Sequence, residues 1–123
     1  MSLRAAILVL IGLFAAEGAA ARAPAAPEAV TLTLKDHRFT PDTLTVPAGR
    51  KIRIELTNHD GALEEFDSAD LGVEKDVTPH GRASFSIGPL LPGTYSFMGE
   101  LHAGTASGQV VAVASPEAAG TRR

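Results

Sequence analysis

Apolar and polar side chains alternate through most of the central part of this 123-residue chain. Ile52, Ile54 and Leu56 alternate with Arg53 and Glu55, and the same period of two recurs before and after this segment. A period of two places successive side chains on opposite faces of a strand, so it predicts half-buried β-strands. The predicted strands lie at residues 30–35, 44–46, 52–57, 65–68, 74–77, 83–87, 95–98 and 111–113.

Turn-forming residues separate these segments. Residues 47–49 read Pro-Ala-Gly, residues 58–61 read Asn-His-Asp-Gly, and residues 88–93 are too rich in Pro and Gly for a helix. No window of a dozen residues keeps helical spacing. Short strands at this spacing are typical of Greek-key sandwiches and barrels. We therefore predict an all-β fold, a Greek-key β-sandwich of seven or eight strands or a barrel of the same strands.

The amino terminus has the pattern of an export signal. Arg4 precedes an apolar run at residues 5–16, and the small residues 19–21 offer a cleavage site. The run is shorter than the roughly 20 apolar residues that span a membrane. We therefore expect a cleaved signal peptide and a periplasmic protein. The predicted division of the chain is signal peptide 1–21, flexible leader 22–29, folded domain 30–114 and disordered tail 115–123.

Composition removes several kinds of chemistry. The chain has no cysteine, which excludes disulfides, thiolate metal sites and cysteine nucleophiles. Its 11 basic and 14 acidic side chains leave a net charge of −3, so no nucleic-acid partner is expected. The G-x-S-x-G motif of hydrolases and the glycine-rich phosphate loops are also absent from the sequence. Metal-binding side chains in loops are the chemistry that remains.

Residues 92–110 carry a family resemblance. The segment resembles the last hairpin of the cupredoxins, the plastocyanin-like small blue copper proteins, and residues 39–41 and 46–49 look like the opening strands of that family. The resemblance covers roughly residues 30–114 and implies a cupredoxin-like sandwich. The matching positions in the hairpin are Pro92, Gly93, Tyr95, Phe97, His102, Gly108 and Val110.

This chain departs from the blue copper pattern at the metal ligands. Gly99 stands at the position of the family's cysteine, and the axial methionine position falls near Ser107. The histidine that usually begins the second ligand loop is also missing from residues 62–66. A blue site of two histidines and a thiolate therefore cannot form. Because glycine has no side chain, the space left by the cysteine is free for a carboxylate or a water.

The replacements resemble one cupredoxin-like subfamily, which is associated with bacterial periplasmic iron uptake through high-affinity ferrous permeases. Residues 65–68, 74–75, 87–90 and 97–102 carry this likeness, as do residues 105–106. It implies a protein that binds copper, iron or both through carboxylates and histidine. It also implies an inner-membrane iron permease or a periplasmic iron-binding protein as partner. On this resemblance Glu65, Glu100 and His102 carry over as site residues.

Two further residues are candidate ligands. His37 lies in the segment that borders the metal end of plastocyanin-like folds. Met98 is a soft donor suited to copper, although its position in the strand points it away from the core side. Glu64 is adjacent to Glu65 and of opposite parity, and is expected to face solvent. The candidate metal ligands are therefore His102, Glu100, Glu65, His37 and Met98.

Carboxylates and imidazoles suit Cu(II), Fe(II), Fe(III) or Mn(II) better than Cu(I). A largely anionic set would also favour ferric over ferrous iron, which would help an oxidation step; whether the protein is an enzyme stays open. Two other functions are compatible with the sequence. One is a copper carrier or scavenger for copper tolerance without redox turnover, and the other is a metal-free sandwich that acts as an adaptor between proteins.

Overall fold

A computed structural model describes residues 28–115 of the chain, and these residues form two β-sheets. No helix among them is long and apolar enough to cross a membrane. A 3₁₀ turn at Glu100–His102 follows the eighth strand. The nine strands are β1 (Glu28–Lys35), β2 (Arg38–Thr40), β3 (Thr43–Pro47), β4 (Ile52–Asn58), β5 (Glu64–Ser68), β6 (Val73–Val77), β7 (Arg82–Ile87), β8 (Gly93–Gly99) and β9 (Ser107–Val113).

The strand order is that of a Greek-key sandwich. One sheet has the order β2-β1-β4-β7 and the other β3-β9-β8-β5-β6. The pairs β1–β4 and β3–β9 are parallel, and the other neighbours are antiparallel. Parallel neighbours cannot be joined by a hairpin, so the chain crosses repeatedly between the two sheets. The predicted all-β Greek-key sandwich is confirmed.

The boundaries differ from the sequence prediction at several points. The structure adds the strand β2, which the alternation pattern did not reveal because Phe39 is its only apolar residue; residues 39–41 are matched only through the family resemblance. β1 begins at Glu28, inside the segment predicted as leader, and β9 begins at Ser107 rather than at residue 111. The predicted signal peptide, the leader up to residue 27 and the tail from residue 116 lie outside the described residues.

The core lies between the two sheets and follows the period of two. In β4 every second residue from Ile52 to Asn58 is buried. Three rings from different strands meet in the core: Phe97 lies 5.2 Å from Phe39 and 4.9 Å from Phe66 between ring centroids. Each buried aromatic side chain contributes a large apolar area to this contact. The three rings therefore tie the two sheets together near one end of the sandwich.

Three segments converge at that end. They are the turn between β1 and β2, the start of β5, and the 3₁₀ turn after β8. Each begins two or three residues from one of the three clustered phenylalanines along the chain. The backbone N–H of Leu101 in the 3₁₀ turn donates to the side chain of Glu64 at the start of β5. The fold thus brings together loops that are far apart in the sequence.

Candidate metal centre

Glu64 is a buried acidic residue at this end of the sandwich. It lies on the same face of β5 as the core residue Phe66, and only 1% of it is exposed. Its Oε1 accepts from the backbone N–H of Leu101 at 2.9 Å and of Glu65 at 3.1 Å, and its Oε2 lies 2.5 Å from His102 Nδ1. A buried carboxyl group is tolerated only with partners of this kind. They hold Glu64 in a single orientation.

His102 is placed by the tight connection between β8 and β9. It ends the 3₁₀ turn, and its carbonyl accepts from the backbone N–H of Thr105 at 3.0 Å and of Ala106 at 2.8 Å. These bonds close the connection over four residues. The side chain is 28% exposed and faces Glu64. The local fold therefore aims the imidazole at the buried carboxyl group.

His37 is placed by the two-residue turn between β1 and β2. Asp36 and His37 have φ angles of 51° and 56°, in the left-handed region that hairpin turns of this length require. The carboxylate of Asp60 accepts from both of their backbone N–H groups, at 2.7 and 2.9 Å. Asn58 Oδ1 in turn accepts from the N–H of Asp60 at 2.9 Å. This chain of bonds fixes the turn and the histidine that it carries.

The charge of Asp60 is stabilised in this position. The hydrogen bond from the backbone N–H of His37 is the main cause that lowers the pKa of Asp60, and the N–H of Asp36 adds to it. Partial desolvation opposes the shift. A carboxylate that accepts backbone N–H bonds favours its ionised form. Asp60 therefore stays negative beside His37 at neutral pH.

Glu64, His37 and His102 form one cluster. Each offers a ligand atom, and these atoms lie within 4.8 Å of one another. The rings of His37 and His102 are stacked, with centroids 3.7 Å apart and planes 13° from parallel. Within residues 28–115, these are the three histidine and acidic side chains whose ligand atoms lie this close together as a group. Three segments that are remote in the sequence thus meet at one point.

One nitrogen of the His37 ring has no hydrogen-bond partner in the structure. Nδ1 of His37 is buried and makes no hydrogen bond, although Asp60 Oδ2 lies 3.5 Å away. Buried polar atoms are nearly always satisfied, by protein, water or an ion. Two imidazoles and a carboxylate are donors that divalent transition metals accept. The donor set and the unsatisfied nitrogen therefore fit a metal ion held by His37, Glu64 and His102.

The other predicted ligands lie elsewhere. Glu65 and Glu100 stand outside this cluster, next to each other on the outer side. Partial desolvation raises the pKa of Glu65, and the negative charge of Glu100 raises it further, with smaller contributions from Asp76 and Glu74. Met98 is 41% exposed on the outer face of β8. The structure therefore brings together His37 and His102 but not Glu65, Glu100 or Met98 with them.

The expectation that Glu64 faces solvent is wrong. The strand β5 begins at Glu64, and Glu64, Phe66 and Ser68 are its buried positions. The signal was present in the sequence, because a residue two positions from a core phenylalanine in a strand must share its face. The predicted start of the strand at residue 65 concealed this relation. Parity with Phe66, rather than adjacency to Glu65, was the informative observation.

Comparison with known proteins identifies the family. The chain matches the cupredoxin-like domain over residues 4–112 and belongs to that family. An "Uncharacterized protein RP394" of Rickettsia prowazekii is 43% identical over 82 residues, which are 67% of this chain and 66% of that protein. The chain thus spans slightly less than two thirds of that relative's length.

Solved structures share the fold at low sequence identity. Auracyanin A, a blue copper protein from Chloroflexus aurantiacus, matches with a TM-score of 0.61 and 14% identity, covering 72% of this chain and all of its own. The apo form of a copper-binding protein matches with a TM-score of 0.61 and 15% identity, covering 75% of this chain and 93% of its own. At these identities the likeness establishes the architecture alone.

Proposed function

We propose that this protein binds a divalent transition metal, with Cu(II) as the preferred ion, through Glu64, His37 and His102. The convergence of these three side chains, with ligand atoms within 4.8 Å of one another, is the observation that carries the proposal. The carboxylate of Glu64 would offset part of the charge of the ion, and neutral imidazoles would donate nitrogen lone pairs. The aromatic cluster beneath would keep bulk water from the inner side.

Copper is the preferred candidate for two reasons. Sites of nitrogen and oxygen donors bind Cu(II) more tightly than the other divalent first-row metals. Two proteins of the same architecture are also named for copper. Since the chain has no cysteine, such a site would lack the thiolate of the blue copper proteins. A bound copper ion would supply one-electron chemistry at this end of the sandwich.

We further propose that the protein works in the periplasm and supports iron uptake beside an inner-membrane permease. The predicted signal peptide supports the location, and the sequence resemblance at residues 65–68 and 97–102 supports the iron role. The sequence assigned Glu65 and Glu100 to the same metal site as His102; because both lie outside the inner cluster, we propose this acidic pair as the contact for iron. The second candidate is a copper carrier without redox turnover, which the copper-binding proteins of the same fold favour.

Metal titration of the purified, chelator-free protein tests the binding site. We expect one Cu(II) per chain, and we expect His102→Ala to weaken binding by more than about 100-fold, since residues that only orient ligands already contribute about 10- to 100-fold. His59→Ala is the matched control, because His59 is an exposed histidine in the connection between β4 and β5 and lies outside the cluster. Equal affinities of the two variants would contradict the assigned ligand set.

Iron separates the two candidate functions. A role in iron uptake predicts that the copper-loaded protein binds Fe(II) or accelerates its oxidation above the rate in buffer with the same free copper, and that Glu65→Gln and Glu100→Gln reduce the effect. A copper carrier predicts no response to iron in any variant. The measurement is oxygen consumption together with the appearance of Fe(III). If the protein binds neither Cu(II) nor iron, both candidate functions are wrong, and a metal-free adaptor between proteins is the remaining alternative.

A further inference from the structure

Gly99 is the last residue of β8 and lies directly against the candidate metal centre. Its φ of −86° and ψ of 107° are ordinary extended values that any residue adopts. Its backbone N–H donates to the carbonyl of Ala106 at 2.8 Å. The backbone conformation therefore gives no reason for a glycine at this position, and the reason must be steric.

The space beside Gly99 is filled by Glu64. A Cβ atom at residue 99 would lie 2.6 Å from Cδ and 2.9 Å from Oε1 of Glu64, and 2.8 Å from Cβ of Ala106. Nonbonded carbon atoms approach to about 3.5–4.0 Å at their optimal separation. A side chain at position 99 and the present position of the Glu64 carboxyl group therefore exclude each other.

Glu64 has little freedom to move aside. Its Oε1 accepts from the N–H of Leu101, and its Oε2 contacts Nδ1 of His102. Displacing the carboxyl group would break these bonds within a buried site, which costs free energy. The conflict at residue 99 would therefore be resolved by loss of the Glu64 contacts, by a shift of the turn that carries Leu101 and His102, or by both.

We propose that Gly99 determines the metal preference of this protein, an inference that rests on the proposed function. Because it lacks a side chain, Gly99 admits the Glu64 carboxylate to the centre and excludes any donor from position 99 itself. The site is thereby committed to one carboxylate and two imidazoles, a donor set that favours Cu(II) over the softer Cu(I). Gly99 and Glu64 act as a pair, and neither produces this site alone.

The substitution Gly99→Ala tests the proposal, with Gly104→Ala as its control. Gly104 lies in the same connection between β8 and β9, and a Cβ there would meet nothing within 4 Å. We expect Gly99→Ala to weaken Cu(II) binding by about tenfold or more, as loss of a site's supporting contacts does. The affinity for Cu(I) should change less, so the ratio of the Cu(II) affinity to the Cu(I) affinity should fall. Gly104→Ala should leave both affinities unchanged.

A second measurement needs no metal. The amide of Leu101 is protected from hydrogen exchange by its bond to Glu64, so displacement of the carboxyl group should expose it. We expect the exchange rate of this amide to rise in metal-free Gly99→Ala and to stay at the wild-type value in Gly104→Ala. Wild-type exchange and wild-type Cu(II) affinity in Gly99→Ala would overturn the proposal.

A third variant keeps the test usable if Gly99→Ala does not fold. In the Ala106→Gly background the methyl group that also opposes a Cβ at residue 99 is gone, which leaves Glu64 as the nearest obstacle. The double variant Gly99→Ala/Ala106→Gly is then compared with Ala106→Gly for Cu(II) affinity and Leu101 exchange. The expected differences are the same, and their absence would overturn the proposal.

The two proposals fail in different ways. If neither the wild type nor Gly104→Ala binds Cu(II), the proposed function is wrong, and so is the proposal that Gly99 determines the metal preference. Hydrogen exchange at Leu101 still shows in that case whether Gly99 keeps Glu64 in place. If the wild type binds Cu(II) and Gly99→Ala binds it equally well with the same preference over Cu(I), the proposed function stands and Gly99 does not determine the preference.

Discussion

Two adjacent glutamates on β5 have opposite environments. Glu64 faces the core, is 1% exposed and contacts His102, whereas Glu65 faces outward beside Glu100. The residues are chemically identical and neighbours in sequence, and only strand parity separates them. The inner carboxyl group has hydrogen-bond donors and two imidazoles around it, and the outer one has like charges. A single step along the strand therefore turns the same side chain from a buried site residue into a half-buried member of an acidic outer surface.

The largest change is expected from removing the ring beneath Glu64. Phe66 is buried and packs on Phe97 and Phe85, so Phe66→Ala should lower the free energy of unfolding by about 3–5 kcal/mol. Leu101→Ala is the control, because Leu101 is 51% exposed and its loss should change stability by about 0.5 kcal/mol or less. Urea unfolding of the metal-free proteins measures both. Equal losses of stability in Phe66→Ala and Leu101→Ala would contradict the assignment of Phe66 to the core and Leu101 to the surface.

The comparison is tested directly by neutralising each glutamate in turn. Glu64→Gln keeps the shape of the side chain but removes the charge, and should weaken Cu(II) binding by about 10- to 100-fold. Glu65→Gln should leave Cu(II) affinity within about twofold, since Glu65 is outside the cluster. Competition titration with a chelator of known affinity is the measurement. A larger loss for Glu65→Gln would place the copper on the outer face.

Asp60 supports the inner cluster through the turn that carries His37. Asp60→Ala removes the acceptor of two backbone N–H bonds, so it should lower stability by about 1–3 kcal/mol and weaken Cu(II) binding by about tenfold. Asp70→Ala is the matched control, because Asp70 accepts from the backbone N–H of Ser96 at 2.8 Å. Asp70→Ala should lower the free energy of unfolding but leave the Cu(II) affinity unchanged. If both variants lose metal affinity equally, the effect is general destabilisation.

The smallest effect is expected on the outer face. Desolvation raises the pKa of Glu65 most, and the negative charge of Glu100 and a side-chain hydrogen bond with it raise this pKa further. At neutral pH and low salt, where the two carboxylates repel, Glu100→Gln should therefore raise the melting temperature slightly. Salt screens exposed charges, so the gain should shrink in 1 M NaCl, where the screening length is about 3 Å. Differential scanning calorimetry at the two salt concentrations measures it. A gain that persists in high salt would show that repulsion is not its cause.

Much of the architecture was predictable because it follows from short-range pattern. Alternation in β4 and the Pro and Gly residues at its ends predicted a sandwich strand, and the structure agrees. Alternation does not reveal β2, because three residues with one buried side chain carry too little periodic signal, and only the family resemblance pointed to residues 39–41 as strand. His37 and His102 were candidates from the sequence. Glu64 was not, because the predicted strand began one residue too late and its face was assigned from Glu65.

The amino-acid pattern alone determined the sandwich, the absence of a thiolate and the presence of carboxylates and histidines near one hairpin. These properties depend on composition and on patterns that repeat every few residues, so they can be recognised without knowing which residues are in contact in the folded protein. Only the tertiary structure decided which donors meet, because His37 and His102 come from two connections and Glu64 from the start of β5, and they approach one another through strand pairing and packing. The role of Gly99 also became visible only in the tertiary structure, because the space that a side chain at residue 99 would occupy is filled by the carboxyl group of Glu64.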